Sequence, residues 1–208
     1  MRKPGSVKSL ENLGRVRLSK HFFMRDFLYS EVAGIFGLSN IPDDPELAIA
    51  AGSRLCEELL EPITDAFGPI AVRSAYRSAE VNRVCNEEKE NCSSNEKNHA
   101  RHIWDVRDRE GHIGAMACIV IPWYLDYSGE QRGYEPLAWW IHDHLNYSEV
   151  MFFSKLFAFN LGWHEKPKRT IHSWKGGTRT LLTKPGMDNQ EGSHAALYLG
   201  LPSLGGVA

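Results

Sequence analysis

The chain has 208 residues, a formal net charge of −2 and a hydrophobic fraction of 42%, which fit one globular domain with a real core. A charge so close to zero argues against a nucleic-acid or anionic-membrane partner, because such partners are attracted by a strong positive field. No stretch reaches the roughly 18 apolar residues of a membrane span, and no apolar segment of a signal peptide follows Arg2 and Lys3. We therefore expect a protein that is cytoplasmic at synthesis, and release by phage lysis is one route to an outside target.

The first third of the chain predicts two helices. Residues 1–17 are basic and polar and predict a flexible tail, whereas Ser19 is placed as the N-cap of a short helix that reaches Phe27. Apolar residues then recur at every fourth position over 46–67, which predicts a long amphipathic helix with a bend at Pro62.

The remainder predicts mostly strands. Short helices are expected at 78–84 and 137–145, a charged surface loop at 86–98, and a C-terminal tail that wraps the surface over 176–208. Six strands are expected, at 69–74, 102–108, 113–122, 147–153, 157–163 and 169–174, and the second and third are joined as a hairpin. Helices followed by a mostly antiparallel sheet predict a single α+β domain over 18–175.

The four cysteines contain no C-x-x-C pair. Cys85 and Cys92 flank the charged loop and could form a disulfide in an oxidising compartment, but the spacing favours free thiols in a cytosolic protein. Cys118 lies among Ile and Val residues and is expected to be a buried thiol of the core.

A family resemblance becomes visible between Leu18 and Asn82. The matching pieces occur in order, and the most specific is Val-Arg-Ser-Ala-Tyr-Arg-Ser at 72–78 followed by Val81 and Asn82. The others are Leu18-Ser19 with Phe22 and Ser30, the Asn40-x-Pro42 turn, and the runs at 60–63 and 67–70. Together they resemble the zinc D-alanyl-D-alanine carboxypeptidase family, whose fold is shared with hedgehog-type domains. The resemblance implies that Arg77 holds a carboxylate or an oxyanion, and that Ser74 and Tyr76 lie near the substrate. Trp104 is an aromatic residue that could line a sugar or peptide groove.

The resemblance also implies one zinc ion on three side chains. A hydrolytic zinc site uses three protein ligands and an open position for water. His99 and Asp105 are the best matches to the first two ligands, although their spacing is one residue shorter than the family's pattern and His102 replaces a glycine. His172 and His164 are rivals for the third ligand, and Asp108 is the substitute for Asp105.

A second register places Gly114 to Ile119 on the family's metal-binding strand. Cys118 then stands where the aspartate ligand belongs, and His112 is the nearest histidine. For the general base, the closest fit falls on Phe153, which cannot move a proton. Glu149 and Glu165 are the substitutes, and strand alternation places Glu149 on one face with Met151 and Phe153.

Three functions follow as hypotheses. The first is a zinc-dependent hydrolase that cleaves an amide bond in a peptidoglycan-type peptide, with zinc on His99, Asp105 and His172, Glu149 as base and Arg77 as clamp. The second is a non-catalytic relative of the same fold, a cell-wall or phage-associated binding module that keeps the groove. A different metal-assisted reaction that uses His102 and His142 is a third.

Overall fold

The computed structural model describes residues 1–129, 133–175 and 177–205, and it shows an α+β architecture. The α-helices are α1 Val7–Gly14, α2 Glu31–Phe36, α3 Pro45–Leu55, α4 Glu61–Phe67, α5 Ala79–Glu87, α6 Asn95–Asn98, α7 Pro122–Ser128 and α8 Glu135–His144. Short 3₁₀ turns occur at Met24–Phe27 and Ala195–Leu197. None of the helices in the described residues combines the length and apolar character that a membrane crossing requires.

Six strands form one mixed sheet in the order β1-β2-β4-β3-β5-β6. Their bounds are β1 Ala71–Ser74, β2 Gly114–Val120, β3 Glu149–Phe153, β4 Phe159–His164, β5 Thr170–Lys175 and β6 Thr178–Thr183. Only the pairing of β3 with β5 is parallel among these strands. The predicted α+β class and mostly antiparallel sheet are therefore confirmed.

Alternation gives the sheet two different faces. One face is apolar and buried, and it contributes Ala117 of β2, Leu161 of β4, Phe152 of β3 and Ile171 of β5 to the core beneath the helices. The register pairs Met116 with Gly162, Cys118 with Asn160 and Met151 with His172, so these residues share the opposite face. The helices of the core do not pack on this second face, so we expect a functional site there.

The long helix predicted over 46–67 is confirmed as one continuous helical segment with a π-helical turn at Cys56–Leu60 between α3 and α4. Pro62 has no N–H to donate to the preceding turn, and the wider π turn accommodates the missing hydrogen bond. The π turn therefore occurs where the sequence predicted a simple bend. Gly68 ends α4 at φ 81°.

Three predictions about the chain path are wrong. Residues 1–17 are not a loose tail, because a capping box of Ser6 and Ser9 starts α1 and Leu13 is fully buried. Ser19 does not cap a helix; its hydroxyl donates to Glu61 at 2.6 Å. The hairpin is absent, because β2 pairs with β1 and β4 whereas the segment before it is an irregular loop. The predicted tail contains β6, and its residues 176 and 206–208 lie outside the described part.

The preference for free thiols at Cys85 and Cys92 is also wrong, because the two form a disulfide. Asn82, one turn earlier in α5, donates to the Ser93 carbonyl at 3.0 Å and to Asn95 at 2.8 Å. The disulfide and these amide contacts hold the charged loop against α5.

Trp104 joins the helices, the irregular loop and the sheet. Its side chain is fully buried, its indole N–H donates to the Met116 carbonyl of β2 at 3.2 Å, and its ring lies against Phe27 and Tyr76. α3 approaches it at Gly52, where an added Cβ would lie 2.8 Å from Trp104 Cζ3. Gly52 is therefore required by close packing.

We expect Gly52→Ala to lower the free energy of unfolding by about 1–3 kcal/mol, because the methyl group must displace the Trp104 ring from a packed core. Gly34→Ala is the matched control, since Gly34 is also helical but has open space around its Cβ position. That change should be neutral or stabilise by up to about 1 kcal/mol. Urea denaturation measures both, and equal effects of the two variants would contradict the packing role of Gly52.

Candidate functional site

The open face of the sheet forms the floor of a groove with a volume of about 1100 Å³. Met116, Met151, Asn160 and Gly162 line its floor, and Trp174 and Arg179 line it from β5 and β6. The walls come from two segments, 91–101, which includes α6, and 108–110. The groove therefore combines a floor of two methionines, an asparagine and a glycine with charged walls.

Glu149 lies in this groove between two cations. Its carboxylate is 3.2 Å from Arg101 Nη2 and 3.5 Å from Lys168 Nζ, and only 17% of the side chain is exposed. The prediction that Glu149 shares a face with Met151 and Phe153 is confirmed, since all three line the groove. A carboxylate held by two cations is engaged in charge pairing, and its role as general base stays a prediction.

The three predicted zinc ligands occupy different environments. His99 lines the groove, and His172 shares the face of Met151, with burial and then Arg179 lowering its pKa. Asp105 is not strand-borne as predicted; it is buried in the irregular loop and accepts the Asp43 amide at 2.7 Å. Burial raises the pKa of Asp105, so its ionised form is disfavoured.

The other two predicted metal ligands are engaged elsewhere. His102 is buried, with Nδ1 2.8 Å from the Ala75 carbonyl. Its burial, followed by the charge of Arg77, lowers its pKa well below the usual range. His164 lies at the end of β4, with Nε2 3.1 Å from Asp108 Oδ2.

The residues predicted to contact substrate are mostly structural. Tyr76 and Trp104 are fully buried, so we correct their predicted role in substrate binding to one of core packing. Ser74 is half-buried on β1, paired with Cys118. Arg77 is covered by the groove-lining Cys92, whose Sγ lies 2.6 Å from Arg77 Nη1. Burial lowers the pKa of Arg77 to about 10.

Cys118 is half-buried on the groove face, where the second register places it, and is not a core thiol. Burial raises its pKa to about 11, so the thiol form prevails near neutrality. A thiol at this position is a poor replacement for a carboxylate ligand.

Two groups of side chains in the described residues bring three potential metal ligands within 4.8 Å of one another: His142, Asp143 and His194, and His21, Glu61 and Asp65. Neither group includes His99, Asp105 or His172. The residues predicted to hold zinc therefore do not fit a shared ion in this arrangement, and we derive no chemistry through one.

The first group is a hydrogen-bonded latch for the C-terminal segment. His142 contacts Tyr147 OH at 2.7 Å and the Gln190 carbonyl at 2.9 Å. His194 contacts Asp143 Oδ1 at 2.6 Å and the Asn189 carbonyl at 3.1 Å, and its ring stacks on Trp139. Both ring nitrogens of His142 and of His194 therefore already have polar partners, and the group is satisfied without an ion.

The second group surrounds Glu61. Its carboxylate accepts the His21 amide at 2.7 Å and lies 2.6 Å from His21 Nδ1, while Lys20 pairs with Asp65 at 3.2 Å. These contacts fasten the turn after residue 17 to α4, which is a structural task.

Sequence reasoning missed the charged walls of the groove. Arg101 and Lys168 were not singled out because neither belongs to the family motif, and their meeting with Glu149 depends on the path of the irregular loop. Asp108 was noted only as a substitute for Asp105, and His112 only as the nearest histidine in the second register. An aspartate followed closely by Gly111 is nevertheless a recognisable turn signal.

We expect Asp143→Asn to loosen the C-terminal segment. Burial raises the pKa of Asp143, but hydrogen bonds from the His194 side chain and amide and from Tyr198 outweigh it, and the net pKa is lowered. A lowered pKa means that this stabilisation is present above the unfolded pKa of about 3.9 and is lost as the pH falls through the folded value.

The variant should therefore lose about 1–3 kcal/mol at pH 7, and the difference from the parent protein should shrink at pH 3. Urea denaturation at both pH values measures this, with Asp126→Asn, an exposed carboxylate of α7, as control. Equal stability of the Asp143 variant and the parent at pH 7 would refute the latch.

Comparisons with protein-family models, with curated proteins and with solved structures give no significant match. The geometry of the groove is therefore the basis for a functional conclusion.

Proposed function

We propose that this protein binds a peptide with a free carboxylate in the groove on the open face of its sheet, and that it does so without cleaving it. The fold would be a divergent, non-catalytic form of the zinc D-alanyl-D-alanine carboxypeptidase scaffold. The ligand class would be a peptidoglycan-type peptide, and the role that of a cell-wall or phage-associated binding module.

Arg101 is the observation that carries the proposal. Its Nη2 pairs with Glu149, but its Nε is buried and has no hydrogen-bond partner in the described structure. A buried donor without an acceptor costs free energy, so an incoming oxygen acceptor would be favoured here. A carboxylate can accept two parallel bonds from a guanidinium, which makes it the best-suited acceptor.

The rest of the groove suits a peptide. Gly162 adds no side chain to the floor, and the half-buried Met151 offers adaptable apolar surface beside it. The walls carry both signs of charge, with Lys97 and Arg109 near Glu96 and Glu110. A mixed charge pattern over an apolar floor favours a peptide over a polyanion such as nucleic acid.

Calorimetric titration tests the proposal with a short peptide that ends in D-Ala-D-Ala. The free acid should bind and the C-terminal amide should bind more weakly. Arg101→Ala should weaken binding of the free acid roughly 10- to 100-fold, as expected for loss of a hydrogen bond to a charged group. Arg83→Ala is the matched control, because Arg83 is an exposed arginine of α5 paired with Glu87.

Equal affinity for acid and amide, or an Arg101 variant that binds as well as the parent, would contradict the proposal. A ligand other than a cell-wall peptide would be indicated if neither form bound.

Hydrolysis is the second candidate, because His99 and Glu149 line the same groove and His172 shares its face. In that function His99, Asp105 and His172 would have to rearrange to hold one zinc ion, and Glu149 would act as base. Product analysis with added zinc chloride separates the two functions. The binding proposal expects an intact peptide, whereas cleavage that disappears in Glu149→Ala would establish the hydrolase.

A further inference from the structure

We propose that the Cys85–Cys92 disulfide is a redox-active centre, which exchanges with a small thiol at the groove-lining sulfur of Cys92. This activity is independent of the proposed peptide binding, because it requires neither Arg101 nor a ligand carboxylate.

The two sulfurs of the disulfide differ in their access to the groove. Cys85 lies in α5 with 2% of its surface exposed. Cys92 is half-buried and belongs to the groove wall. An attacking thiolate must reach a sulfur from the solvent side, so it meets Cys92 first. The disulfide therefore has one accessible sulfur and one protected sulfur.

Arg77 supplies the second observation. Its guanidinium is largely buried, and its Nη1 donates to Cys92 Sγ at 2.6 Å and to Asn82 Oδ1 at 3.0 Å. No carboxylate among the described residues pairs with this guanidinium. A disulfide sulfur is a weak acceptor, so the covered cation lacks an anion while the disulfide is intact.

Reduction would give both sulfurs better partners. A Cys92 thiolate would place a negative charge against Arg77, and a neighbouring arginine lowers the pKa of a thiol. Cys85 Sγ lies 3.4 Å from the Glu90 carbonyl, which can accept the S–H of the reduced residue. A disulfide whose reduced form is stabilised in this way is readily reduced.

The other charges around Cys92 are weaker influences. Arg101 of the opposite part of the wall is half-buried and pairs with Glu149. The charged residues of the surrounding elements are all exposed: Glu80, Arg83 and Glu87 of α5, Glu88, Lys89 and Glu90 of the loop, and Glu96 and Lys97 of α6. Solvent screens exposed charges, so the covered guanidinium of Arg77 dominates the electrostatics at the sulfur.

Exchange proceeds in two balanced steps with a small thiol RSH, such as glutathione, as the reductant. A thiolate RS⁻ attacks Cys92 Sγ, the bond between the cysteines breaks, and Cys85 leaves as a thiolate that takes a proton from water. A second RS⁻ attacks the outer sulfur of the mixed disulfide, RSSR leaves, and the electron pair stays on Cys92 beside Arg77. The protein gains two electrons as two thiols become one disulfide. The groove, with a volume of about 1100 Å³, has room for a thiol of this size.

Equilibration of the full chain with glutathione redox buffers tests the centre, with alkylation and mass spectrometry to count the free thiols. We expect reduced glutathione alone to open the disulfide, whereas a structural disulfide resists it. Arg77→Ala should lower the equilibrium constant for reduction roughly tenfold, which corresponds to one pKa unit at Cys92. Arg77→Lys keeps the charge and should restore most of the effect. Arg83→Ala is the control, because Arg83 is an exposed arginine of α5.

The rate at which iodoacetamide alkylates Cys92 in the reduced protein, followed against pH by peptide mass spectrometry, is an independent readout. Its midpoint should lie below the ordinary thiol pKa of about 8.5 in the parent protein and should rise in Arg77→Ala. Circular dichroism checks that each variant is folded, and the measurements on the parent decide the matter even if Arg77→Ala does not fold. An intact disulfide in reduced glutathione, a parent midpoint at or above the ordinary value, or a folded Arg77→Ala variant that behaves as the parent does would each overturn the proposal.

Discussion

The fit of Trp104 against Gly52 is the constraint on which the rest of the structure depends. The indole fills the space between α3, β2 and the irregular loop, and its only polar atom donates to the Met116 carbonyl. The loop that carries Trp104 continues into Arg101 on one side and into the Asp108 turn on the other. The burial of the Trp104 ring therefore fixes the positions of the charged walls of the groove.

The two faces of the sheet explain why function is confined to one side. Residues that point toward the helices are apolar and close-packed, so a substitution there changes stability first. Residues that point away include Glu149, Asn160, Cys118 and His172, which can contact a ligand without disturbing the core. Local positions of the irregular chain, such as Ala100 at φ 52°, place the walls above this face.

Regular elements could be predicted from the sequence because their signals are local. Apolar residues at every fourth position predicted the helix over 46–67. The alternation of side chains along a strand placed Glu149 on the groove face. The irregular loop could not be predicted, because Asp105, His102 and Trp104 take their positions from contacts with Asp43, Ala75 and Met116, which are distant in the chain. The β-type residue pattern predicted a strand over 102–108, but tertiary packing of this segment prevailed. For the same reason the predicted ligands were assigned to one point, whereas the structure separates them.

The central claim is that the open face of the sheet receives a peptide carboxylate. A two-dimensional NMR titration of the ¹⁵N-labelled protein with the peptide acid tests it most directly. The account predicts that the perturbed signals belong to Met151, Asn160, Gly162 and the Arg101 Nε–H. Perturbations confined to the helices on the buried side, or to the segment around His194, would contradict it.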